Sequence, residues 1–114
     1  MRQPTFFDKD GSAGVDYAER VVLYALGDFQ ARGKVLAGRD LPLDRLRGAL
    51  RRAAEAFGVE ELGDEQAAAA LIALGAGVRR VPVFFAKHPF RVLVHAELAE
   101  RAREYLKQAR QSEE

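Results

Sequence analysis

The chain has 114 residues, 48% hydrophobic and 31% charged, with a net charge of +1. These are the proportions of one globular domain with enough chain to bury a core. With no cysteine, disulfides, thiol redox chemistry, cysteine nucleophiles and cysteine-ligated zinc are excluded. No apolar run reaches the ~18 residues of a bilayer span. Met1–Gly14 lacks the basic start and apolar centre of a secretory signal, so a cytoplasmic location is expected.

Asn and Trp are absent, Met occurs only at position 1, Thr only at Thr5, and Ser only at Ser12 and Ser112. Arginine far outnumbers lysine. Depletion of thermolabile residues together with many Arg and Glu suits a heat-adapted chain, although a GC-rich genome favours the same bias. The charges fall in blocks of alternating sign. Arg32–Arg52 is mainly basic, Ala53–Val78 carries acids and no base, and Arg79–Arg91 carries bases and no acid.

Met1–Gly14 is polar and turn-rich, and is expected to form a flexible arm. Its Asp8-Lys9-Asp10-Gly11 is superficially like a calcium loop, but the sixth position, where such loops need glycine, is Ala13. A plain turn is expected.

Asp16–Gly38 supports two readings. Val15, Ala18, Val22, Leu26 and Phe29 fall at helical spacing. Val21-Val22-Leu23-Tyr24 is β-rich, however, and Gly27-Asp28 between two apolar runs has the form of a tight hairpin turn. The preferred expectation is a hairpin of strands Arg20–Leu26 and Phe29–Leu36.

Asp40–Phe57 reads as a helix, with Pro42 in its first turn and Gly58 as its stop. Leu43, Leu46, Leu50, Ala53, Ala54 and Phe57 form its apolar stripe, and Arg45, Arg47, Arg51 and Arg52 its opposite face. Asp44 and Glu55 are spaced to pair with Arg47 and Arg51. A second helix spans Asp64–Leu74, with Asp64 as N-cap and Gly75-Ala76-Gly77 ending it. Ala67–Leu74 is apolar on every side, as in a helix that is buried or meets another subunit.

Arg79–His95 is the densest β-branched and aromatic stretch, and reads as a hairpin of strands Val81–Ala86 and Phe90–Val94. Pro82 cannot donate to a ladder, so its strand should lie at a sheet edge or begin at that residue. The last helix, Ala96–Arg110, buries Leu98, Ala102, Tyr105, Leu106 and Ala109. Gln111–Glu114 is expected to be a frayed acidic tail. The fold class is therefore α+β: a mostly antiparallel sheet built from two β-hairpins, with about three helices packed on it, over residues 15–110. A two-faced apolar edge strand and an alanine-rich helix point to a homodimer.

Catalytic chemistry finds little support. The only serines lie in terminal segments, whereas a nucleophile needs a rigid mount. His88 and His95 flank one strand without metal-ligand spacing. The acids fall where caps and solvated faces put them, apart from Asp16 and Asp28. Gly75-Ala76-Gly77 precedes a strand, the reverse of a dinucleotide fingerprint. No cofactor or metal is expected.

One constellation remains. Arg79, Arg80, Lys87, His88 and Arg91 bracket Phe84, Phe85 and Phe90, and Arg45 and Arg52 could join them. Such bases contact phosphates and such aromatics stack on nucleotide bases. The plainer reading makes the phenylalanines core and the arginines guards against aggregation, and nucleic-acid modules are usually far more basic than this chain. The first expectation is thus a non-enzymatic, homo-oligomeric interaction or ligand-binding domain. The alternative is a nucleic-acid module using the basic hairpin and the arginine helix. An enzyme using carboxylates and arginines in a subunit cleft comes third.

Overall fold

The computed structural model describes residues 10–81 and 90–112, with side chains described from Tyr17 to Val81 and from Phe90 to Gln111. The elements in order are α1 (Asp10–Ala31), β1 (Asp40–Pro42), a 3-10 turn (Leu43–Leu46), α2 (Arg47–Phe57), α3 (Asp64–Leu74), β2 (Gly77–Arg80), β3 (Phe90–Leu93) and α4 (Ala96–Ser112). The α+β class holds, with four helices and one three-stranded antiparallel sheet among the described residues.

The hairpin expected over residues 16–38 does not form. Its Arg20–Leu26 strand and the start of its Phe29–Leu36 strand lie in α1, a helix of 22 residues. The reason is position. The other three helices all pack on α1, so Val21–Phe29 is buried throughout. A helix covered on all sides has no polar stripe, and its sequence reads as a continuous apolar run, like a buried strand. Gly27 serves a crossing, not a turn. A Cβ built there would lie 2.6 Å from the Ala102 carbonyl oxygen and 2.7 Å from Leu106 Cβ, so α4 can approach this closely only over glycine.

The helix expected over Asp40–Phe57 divides. Asp40–Pro42 is a strand, Leu43–Leu46 a 3-10 turn, and only Arg47–Phe57 is α-helical. Gly58 ends α2 in the left-handed conformation at φ 69°, where a side chain would be strained. The Val59 N–H then bonds the Ala54 carbonyl and the Gly58 N–H that of Glu55, the pattern of a Schellman cap. At α3 the N-cap is Gly63 rather than Asp64; the Gly63 N–H donates to Gln66 Oε1 at 2.9 Å. Gly75 closes α3 as Gly58 closes α2.

Of the second expected hairpin, Phe90–Leu93 is β3 and Val94 adds an isolated bridge to Ala37. Its paired arm is Gly77–Arg80, with Val81 beyond the strand end; the remainder of the expected Val81–Ala86 strand lies outside the described residues. The strand order is β1-β3-β2. Leu41, Val92 and Val78 stand side by side in the register and face the helices, Leu41 and Val92 buried and Val78 partly so. The alternate rows, Asp40-Leu93-Gly77 and Pro42-Arg91-Arg79, therefore lie on the opposite, outer face. β1 and β2 are the edges.

Candidate functional site

The arginines singled out in the sequence are divided among three places. Arg79 and Arg91 are cross-strand partners on the outer sheet face, and both turn to Asp40: Arg79 Nη2 lies 2.7 Å from Oδ2 and Arg91 Nε 3.4 Å from Oδ1. Arg91 also donates to the Asp40 carbonyl at 3.1 Å. Arg80, one residue on, donates to Glu65 of α3 at 2.7 Å and lies over the Phe90 ring, 4.6 Å from its centroid. That is a cation–π contact. Arg45 is exposed in the 3-10 turn. Arg52 points elsewhere, to α1. Lys87 and His88 lie outside the described residues, as do Phe84 and Phe85. Phe90 is buried.

Arg52 leads to the most concentrated charge cluster among the described residues. Asp28 of α1 is only 3% exposed. Arg52 of α2 lies 2.6 Å from its Oδ2, Arg32 donates to the same oxygen at 3.3 Å, and Arg110 of α4 lies 3.6 Å from Oδ1. One carboxylate thus ties three segments together, and three guanidiniums surround a single negative charge. Asp28 was one of two acids to which the sequence assigned no place.

Beside the cluster, α1, α4 and the segment Gly33–Ala37 enclose a groove of about 940 Å³. Arg110 belongs to both. Lys34, Arg103 and Lys107 also line the groove, together with Glu100 and Glu104. Arg103 pairs with Glu100 at 3.8 Å. Sequence reasoning missed this set, although Arg103, Lys107 and Arg110 recur at the three- and four-residue intervals that share a helix face.

The arginine face of α2 serves structure in a further way. Arg47 bonds Glu61 at 2.9 Å, the Leu62 carbonyl at 2.6 Å and Asp64, tying the α2–α3 connection together, while Arg51 comes within 3.8 Å of Glu61. Both arginines thus reach beyond the local spacing expected for them, to the α2–α3 connection. Burial pushes the Tyr105 phenol above its ordinary pKa, with Arg20 pulling the other way. His95 is exposed just after β3. Among the described residues no three His, Asp or Glu side chains cluster as metal ligands, and no helix is long and apolar enough to cross a membrane.

Comparison with protein-family models, with curated proteins and with solved structures finds no match.

Proposed function

We propose that the chain is a non-enzymatic interaction module that associates with a second copy of itself through α3. The observation that carries this reading is the solvent face of α3. Glu65, Ala69, Ile72 and Ala73 recur at helical spacing and are all exposed, Ile72 at 58%. α3 contains no basic residue and opens with Asp64 and Glu65.

The order helix, strand, helix, helix, strand, strand, helix, with β3 between β1 and β2, is the connectivity of winged helix-turn-helix domains. That likeness is one of topology alone and assigns no role. The connection between α2 and α3, residues 58–63, is also longer than the three or four residues of the usual helix-turn-helix. In helix-turn-helix proteins the second helix enters the DNA major groove by its N-terminal residues. α3 holds that place in the order, and its two leading acids already occupy Arg47 and Arg80, so that end of the helix offers phosphate no free cation of its own. Its alanines let another helix approach closely. Burying one exposed isoleucine is worth about 1.5–3 kcal/mol, less than association costs. The contact must therefore spread beyond Ile72, towards about 800 Å² per partner.

Sedimentation of the purified chain at tens of micromolar tests this. The expected mass is two chains for the native protein and one for Ile72→Glu, whose site is exposed enough to leave folding intact. A native mass of one chain refutes the association.

A second reading, nucleic-acid binding, draws on Arg79, Arg80 and Arg91 at the base of the segment that carries Lys87 and His88. Their carboxylate partners Asp40 and Glu65 weigh against it, because phosphate would have to displace them. Fluorescence anisotropy with labelled single-stranded and duplex oligonucleotides decides. Micromolar binding that falls steeply with salt, and falls again in Arg79→Ala with Arg80→Ala, supports this reading. No binding at low salt ends it.

A further inference from the structure

The groove between α1 and α4 has the size of a ligand site: about 940 Å³, where small-molecule pockets span roughly 300–1,000 Å³. Its lining is unevenly charged, with Lys34, Arg103, Lys107 and Arg110 against Glu100 and Glu104. Glu100 already faces Arg103. Among the described residues Lys34 and Lys107 have no ion-pair partner.

Behind the groove, the Asp28 cluster adds to the excess. Asp28 carries one negative charge and is closed off from solvent, whereas Arg52, Arg32 and Arg110 all converge on it. Arg110 stands farthest away, at 3.6 Å, and its side chain is half exposed. It is the member of the cluster able to face a ligand while Arg52 and Arg32 hold Asp28. Helical spacing puts Arg103 and Lys107 on the same side of α4, and Lys34 completes the set from the facing segment.

We infer that this groove is a binding site for a small multivalent oxyanion, held by Lys34, Lys107 and Arg110. A single charge would leave most of the cations unmatched. Two or more anionic groups accept charge-assisted hydrogen bonds from several of them at once, and such bonds are roughly twice as strong as neutral ones. Phosphate and carboxylate groups share this chemistry.

Isothermal titration calorimetry at low salt, with inorganic pyrophosphate and separately with citrate, tests the site. The expected result is saturable binding of at least one anion, weakened at least about tenfold (about 1.4 kcal/mol) in Lys34→Ala with Lys107→Ala. The same double variant should melt as the native chain does when no anion is present. Amide chemical-shift changes on titration should fall on residues 33–37 and 103–110. Binding of pyrophosphate alone assigns a phosphate ligand, and of citrate alone a polycarboxylate. No binding of either at millimolar concentration refutes the site, as does unchanged affinity in the double variant or shifts confined to another surface. Ile72→Glu should bind the anion as the native chain does, which separates this site from the association through α3.

Discussion

Asp28 shows how a single side chain can join elements far apart in the chain. Its three arginines come from the residue just beyond α1, from α2 and from α4. Removing one member of a buried ion pair costs about 3–5 kcal/mol, but exposed pairs contribute at most about 1 kcal/mol. The arginines here are partly solvated, so Asp28→Ala should lower stability by about 1–3 kcal/mol. Urea unfolding measures this as a fall in midpoint at unchanged slope. A midpoint equal to the native one would mean that the cluster leaves stability unaffected. The arginines of the sheet and of α2 were legible in the sequence, but their partners were not. Arg79 meets Asp40 across 39 positions, Arg52 meets Asp28 across 24, and Arg80 meets Glu65 across 15. Charges paired over such separations look unpaired until the fold is known, and that is why Arg52 was grouped with the hairpin arginines.

At the scale of elements, legibility followed exposure. α2, α3 and α4 could be read because each has a solvent face, a glycine stop or a charge gradient along its axis. α1 hid because three neighbours cover it. β1 hid because three residues are too few to show an alternating pattern. The α1–α4 crossing gives a sharp test of the corrected reading. Alanine is favoured over glycine in a helix by about 1 kcal/mol, so Gly27→Ala would stabilise an isolated α1. In the folded chain the new methyl meets the Ala102 carbonyl, a backbone group that cannot rotate aside, and overpacking costs about 1–3 kcal/mol. The crossing should win, with a net loss of up to about 2 kcal/mol in the unfolding free energy. A gain would require α4 to stand farther from α1.

For the molecule as a whole, the alternating charge blocks largely answer one another. Arg47 reaches Glu61 and Asp64, Arg80 reaches Glu65, and Arg79 and Arg91 share Asp40. Lys34 and Lys107, outside these pairs, line the α1–α4 groove, to which α3 contributes no residue. The two proposed surfaces should therefore respond oppositely to salt. Association through the alanine face should persist as ionic strength rises, whereas anion binding in the groove should weaken. A two-chain mass that falls apart in high salt would instead make the self-contact electrostatic.

The burial of α1 under the last helix also bears on how the protein is made. Val21–Leu26 finds part of its cover in α4, whose Leu106 and Ala102 lie against Gly27. At ~5–20 residues per second, the ~80 residues from Leu26 to Leu106 take roughly 4–16 s to synthesise. For that interval α1, buried from Val21 to Phe29 in the fold, has left the ribosome or is leaving it without the cover of α4. The nascent chain is thus most prone to aggregation before α4 emerges, since the packing of α1 is completed only then.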